Sequence, residues 1–157
     1  MISIESKFKL LAVLIASFVT VLPPLVIYLS YTSPEAEMIL PILLLLFIIF
    51  FWLTVFRTRA HKLTIDNKNI IVNKYFGLGK SKVHDIGKLD GFVTTFESGK
   101  LGVSEFLFIL ENRKRVACIS SFYQSNFDEL KEILKRKIPD LGEKEYSSKE
   151  ERAEVLR

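Results

Sequence analysis

Charge is missing from two long stretches near the start of the chain, and short alternating runs come after them. Leu10 to Tyr31 reads LLAVLIASFVTVLPPLVIYLSY, and Met38 to Phe56 reads MILPILLLLFIIFFWLTVF. A helix needs about 20 apolar residues to cross a bilayer core of about 30 Å. Each run is apolar all round, as a helix bathed in lipid must be. The pattern predicts two membrane-spanning helices, about residues 10–31 and 36–57, folded into an antiparallel hairpin by the short link Ser30–Glu37. Ser33-Pro34 reads as a helix start, and Glu35 and Glu37 complement the positive end of the helix dipole. Pro41 predicts a bend or a later start of the second helix, and Pro23-Pro24 a kink or hinge in the first. Lys7 and Lys9 before the first run fit the basic region of a signal peptide, but the run exceeds the 7–15 residues of such a core.

After His61 the period shortens to two. Lys62–Asp66, Ile70–Phe76, Lys80–Ile86, Gly91–Phe96, Glu105–Glu111 and Arg115–Ser120 read as six strands, separated by turn material such as Asn67-Lys68-Asn69, Glu97-Ser98-Gly99-Lys100 and Asn112-Arg113-Lys114. Glu105–Glu111 is apolar on both faces. The period then becomes helical. Phe127, Leu130, Ile133, Leu134 and Ile138 fall on one face, Asn126 and Glu129 have capping-box spacing, and Pro139 and Gly142 stop the helix. The polar residues from Glu143 to Arg157 form a tail.

Two apolar helices, a basic junction, "LTIDNKNIIVNKYFGLGKSKVHDIGKLDGF" and then "FLFILENRKRVACISSFYQSNFDELKEILKRKI" make an order of parts that resembles bacterial membrane proteins carrying a pleckstrin-homology-like (PH-like) domain. The resemblance covers roughly Lys62 to Ile138 and the hairpin before it. It implies a seven-stranded, partly open barrel capped by the C-terminal helix, whereas the periodicity yields six strands. The fold class expected is α+β: a transmembrane hairpin (1–59), an antiparallel PH-like β-barrel with its helix (60–142), and a polar tail (143–157).

Candidate chemistry is sparse. Gly77-Leu78-Gly79-Lys80-Ser81 ends like a phosphate-binding loop, yet that loop needs G-x-x-x-x-G-K-[ST] between a strand and a helix. Lys74 stands where the first glycine should be, and the residues after Ser81 read as a strand. The pattern G-x-G-x-x-G fails at Lys82. Gly77 and Gly79 are expected in a turn that needs positive φ. His61, expected at the membrane interface, and His84, expected on a strand face, have no partners at metal-ligand spacing. Cys118 reads as a buried packing residue. No catalytic constellation, cofactor or metal is expected, and the chain does not read as an enzyme.

Charge gives the remaining signal. Residues 60–142 hold 14 Lys and Arg against 10 Asp and Glu. Lys74, Lys80 and Lys82 flank one hairpin, and Arg113, Lys114 and Arg115 another; these are the candidate contacts for an anionic lipid or a partner. Aromatics do not interleave with them as a nucleic-acid stacking surface requires. Lys7, Lys9, Arg57, Arg59 and Lys62 flank the helices and the link between the helices has no Lys or Arg, so both termini are expected in the cytoplasm, on an inner membrane. Arg57, Arg59 and Trp52 are the expected membrane-interface residues, with Tyr28 and Tyr31 at the other end. The function expected is a membrane-anchored PH-like module presenting a cytoplasmic domain to a protein or to anionic headgroups; the alternative is an accessory subunit assembled through its hairpin. Oligomeric state is left open.

Overall fold

The computed structural model describes residues 3–33, 39–99 and 102–144. The Pro34 helix start, Glu35, Glu37, Lys100 and the tail beyond Lys144 lie outside them. Two helices are long and apolar enough to cross a membrane: α1, Leu10–Thr32, and α2, Ile39–Arg59. Helix α1 continues through Pro23 and Pro24. Pro41 falls in the first described turn of α2. Near its end α2 widens into a π-helical turn, Trp52–Phe56, before Arg57–Arg59 resume α geometry. The helices are clamped there: the Trp52 indole N–H donates to Thr20 Oγ1 (3.0 Å), and that hydroxyl donates to the Ala16 carbonyl (2.6 Å).

Among the described residues, eight strands and one further α-helix follow or flank the hairpin. Strands β1 (Ile4–Glu5), β2 (Lys62–Ile65), β3 (Asn69–Asn73) and β4 (Ser81–Asp85) form one antiparallel sheet in that order. The second sheet has the order β7-β6-β5-β8, with β5 at Gly91–Gly99, β6 at Gly102–Glu111, β7 at Lys114–Ser120 and β8 at Asp140–Glu143. Helix α3, Phe127–Lys137, precedes β8. All six expected strands are present, and β1 and β8 are additional. The architecture is thus α+β, with two apolar helices, two four-stranded sheets and a C-terminal helix.

The expected barrel does not close. No strand pair joins the two sheets among the described residues. The reason lies at β5, the strand that would have to pair with β4. Its outer edge is taken by β8, which runs parallel to it with Phe92 opposite Asp140 and Thr94 opposite Glu143. Strand β4 instead turns away through a 3₁₀ turn, Ile86–Lys88, in which Asp85 Oδ1 accepts the Gly87 N–H (2.9 Å). A side-chain pair, His84 to Glu111 (2.8 Å), spans the gap between β4 and β6.

The two-sided apolarity of β6 follows from this arrangement. One face of the second sheet carries Phe92, Leu107, Ile109, Ala117 and Ile119, packed on Leu63, Ile65, Ile70 and Val72 of the first sheet and on Phe127, Leu130 and Leu134 of α3. Its other face carries Val93, Phe106, Phe108 and Cys118. That face belongs to a second cluster running through Tyr123, Phe56 and Ala60 to Ala12 and Ala16 of α1. A sheet buried on both sides needs apolar residues at consecutive positions, as Phe106-Leu107-Phe108-Ile109 supplies.

Asn126 does not cap α3 through its side chain. Its Oδ1 accepts the Lys7 N–H (2.9 Å) and its Nδ2 donates to the Glu5 carbonyl (3.0 Å), so it stitches the N-terminal segment to the helix start. Gly91 is required where β8 docks. At φ +139° it holds a conformation that L side chains avoid, and a Cβ there would overlap the Pro139 carbonyl oxygen. Gly91→Ala should therefore detach β8 from β5 and lower stability by about 2 kcal/mol. Amide exchange checks this: the Phe92 N–H, which donates to Pro139 (3.0 Å), should lose protection, and unchanged protection would refute the reading.

Candidate site at the helix–sheet junction

Only Ala60 and His61 separate α2 from β2, and both are buried. Ala60 is inaccessible and His61 is 1% exposed. The His61 ring bridges the end of α2 and β7. Its Nδ1 accepts the Cys118 backbone N–H (2.9 Å), and Nε2 lies 2.8 Å from the Arg57 carbonyl oxygen. With Nδ1 occupied as an acceptor, a neutral ring must carry its proton on Nε2 and donate it to Arg57. Burial lowers the His61 pKa to about 4, assisted by the charge of Lys74 and opposed by the bond to Arg57.

Gln124 completes the joint. Its side chain is fully buried; Nε2 donates to the His61 carbonyl (3.0 Å) and Oε1 accepts the Ser120 N–H (2.7 Å). The segment before α1 is tied to the same place: Lys9 N–H donates to the Tyr123 carbonyl (2.7 Å), Ser125 N–H to the Lys7 carbonyl (2.7 Å), and Ser6 exchanges bonds with Leu63 (2.8 Å each way). Both helices thus enter the β domain through hydrogen-bonded backbone and a shared core.

An aromatic group surrounds this joint. After β3 the chain makes a left-handed turn, with φ of 54° at Tyr75 and 56° at Phe76. Side chains other than glycine pay about 1–2 kcal/mol for that conformation. Ring packing offsets the strain. Phe76 meets Phe8 (5.0 Å), Phe56 (5.2 Å) and Tyr123 (5.9 Å), while Tyr75 lies 6.2 Å from Trp52. The Phe76 N–H donates to the Ala60 carbonyl (2.7 Å).

The Gly77–Ser81 stretch therefore belongs to a loop and a strand. Ser81 opens β4, so no helix N-terminus faces the glycines. Gly77 has the expected positive φ (+96°), whereas Gly79 does not need one; a Cβ at Gly79 would crowd Lys74 instead.

The basic candidates divide into two places. Lys74, Lys80 and Lys82 flank the β3–β4 loop beside the end of α2, and Lys80 and Lys82 are exposed. Arg113 lies in the β6–β7 turn, where Asn112 and Arg113 have φ of 51° and 60°, and Lys114 opens β7. That turn adjoins Glu111, the partner of His84 near the far end of β4. Arg115 differs from its neighbours in stacking over the Phe108 ring at 4.0 Å. At the helix end Arg59 pairs with Glu97 (2.8 Å) and covers the Phe106 ring at 5.1 Å, while Arg57 offers its carbonyl to His61. Trp52 is half-buried between Thr20 and the loop. No group of three or more His, Cys, Asp or Glu is placed to hold a metal among the described residues.

Gln124, Tyr75 and Phe76 shape this region although nothing in the sequence singles them out as functional, and His61 is a buried link in it. The usable signal lies in Tyr75-Phe76-Gly77-Leu78-Gly79, where apolar side chains crowd a glycine-punctuated loop with no strand alternation. No protein-family model matches the chain, and neither a curated protein nor a solved structure matches it.

Proposed function

We propose that the chain is a membrane-anchored binding module. Helices α1 and α2 cross the cytoplasmic membrane with both termini inside, and the β domain, PH-like in its order of strands and final helix, is held against the inner surface. The observation that carries this reading is the joint itself. A domain meant to roam would hang on a polar linker. Here His61 ties the end of α2 to β7, Gln124 holds the His61 carbonyl, and Lys9 ties the start of α1 to Tyr123. In this reading one side of the domain faces the leaflet and the rest faces the cytoplasm. An anionic leaflet attracts Lys or Arg near its surface by roughly 1 kcal/mol each. Exposed Lys80 and Lys82 lie on the helix side, while Arg113 and Lys114 are available to a protein.

The orientation is testable in intact cells. Thr32→Cys should react with an impermeant thiol reagent, and Lys88→Cys should react only after permeabilisation. The reverse pattern would place the domain outside and end this reading. The alternative, an accessory subunit assembled through its hairpin, rests on the exposed apolar faces of the helices, including Leu14, Phe18, Leu43 and Phe50. A partner retained in detergent should survive alanine substitutions at those positions if the β domain binds it, and be lost if the hairpin does.

A further inference from the structure

Leu78 is the most exposed large apolar residue among the described residues of the β domain, at 81%, and it sits on a loop that packs against the end of α2. The level of that loop follows from α2. Trp52 stands seven residues before Arg59, inside the uncharged run of α2. Tyr75 packs on Trp52, at 6.2 Å between ring centroids. Phe76 packs on Phe56 (5.2 Å), so the base of the loop lies against the last turns of the uncharged run of α2, where that run leaves lipid.

The loop is built to tolerate that place. An N–H without a partner is costly where water is scarce. Four consecutive N–H groups are satisfied within the protein: Phe76 donates to Ala60 (2.7 Å), Gly77 to Lys74 (3.1 Å), Leu78 to Tyr75 (3.0 Å) and Gly79 to Lys74 (2.9 Å). The strained turn at Tyr75 and Phe76 is pinned by rings, so Leu78 is presented from a fixed base. Gly77 and Gly79 on either side of it fit closely against Lys62 and Lys74, where a Cβ would crowd. Lys80 and Lys82 follow at once, both exposed, as phosphate-seeking groups beside an inserted apolar tip would be.

We propose that the β3–β4 loop is a membrane-insertion loop, with Leu78 entering the acyl boundary of the leaflet that α2 crosses and Lys80 and Lys82 holding anionic phospholipid headgroups beside it. The proposal rests on the membrane-spanning reading of α1 and α2, and its test must separate the two.

The full chain is reconstituted in nanodiscs of equal parts phosphatidylcholine and phosphatidylglycerol. A polarity-sensitive thiol dye is attached to Leu78→Cys, to Leu46→Cys on the exposed face of α2, and to Asp85→Cys at the other end of β4. Cys118 is buried, and the unsubstituted protein measures its background labelling. Lipids brominated high or deep in the acyl chain then report depth. The dye at residue 78 is expected to shift to the blue and lose most of its emission to the shallow bromines. The dye at residue 46 should be quenched by the deep bromines, and that at residue 85 by neither. Quenching at 46 without quenching at 78 overturns the insertion and leaves the spanning helices standing. Absence of quenching at 46 overturns the spanning reading and the proposal with it. In the residue 78 variant, adding Lys80→Glu and Lys82→Glu should reduce quenching in these nanodiscs but not in pure phosphatidylcholine; an equal response in both removes the headgroup contact.

Discussion

Leu134→Asp is expected to unfold the β domain of the full chain in detergent while leaving the helical signal of the hairpin. Leu134 is fully buried, on the face of α3 that covers both sheets. Truncation to alanine at such a site costs about 2–5 kcal/mol through lost transfer energy and a cavity. A carboxylate there has no cation to meet in that apolar cluster, and the penalty for burying an uncompensated charge is larger still. The total is comparable to the roughly 5–15 kcal/mol that holds an ordinary domain together. Val103→Asp supplies the contrast. Val103 is 68% exposed on β6, and surface changes of this kind usually stay within about 0.5 kcal/mol. Circular dichroism across a thermal ramp distinguishes the cases. A cooperative β-sheet transition for Leu134→Asp at the wild-type temperature would mean that α3 does not seal this core.

The contrast between those positions explains what could be read along the chain. Uncharged runs long enough to cross a bilayer are conspicuous, and so is a strand buried on both faces. Phe106-Leu107-Phe108-Ile109 is recognisable without the elements that cover it. The helix face of Phe127, Leu130 and Leu134 is legible for the same reason, since burial imposes a period. Strands β1 and β8 carry no such imprint. Ile4–Glu5 is too short to show alternation although Ile4 packs on the core, and the Asp140–Glu143 strand is exposed throughout, so neither shows a burial period. Missing β8 hides the device that keeps the sheets apart, because it occupies the edge a barrel would have needed.

Polar residues are harder still. Asn126 has the right neighbours for a cap, but its amide has two donors and an acceptor, and the N-terminal segment competes for them from more than a hundred positions away. His61 stands in a basic junction where interfacial exposure is the natural expectation. Only the arrival of Cys118 and Gln124 makes it a buried structural link. A close contact between residues remote in sequence leaves little trace in local composition. The candidate site is legible only in part for that reason: the lysines around the β3–β4 loop stand out, while the joint that fixes the loop's position does not.

That joint should be sensitive to acid through His61. Its pKa is about 4 in the folded protein, against an ordinary value near 6.5 for an unfolded chain. Between those values the unfolded chain binds a proton that the folded protein refuses, so stability rises with pH across this window and falls as pH is lowered through it. The contribution is complete above about pH 6.5, declines from there to about pH 4, and falls no further below that, where both states are protonated. The difference in pKa corresponds to roughly 3 kcal/mol over the window. His61→Phe tests the assignment. At pH 7.5 it should cost about 1–3 kcal/mol, because the buried Cys118 N–H and the Arg57 carbonyl lose a partner. It should also flatten the pH dependence, so that the two proteins converge in stability as pH approaches 4. Taking the difference between the two stability profiles cancels groups common to both. Profiles that run parallel from pH 7.5 to 4 would show that protonation of His61 is not what loosens the junction. Convergence would locate the acid-sensitive point of the molecule at the place where the helices meet the sheets.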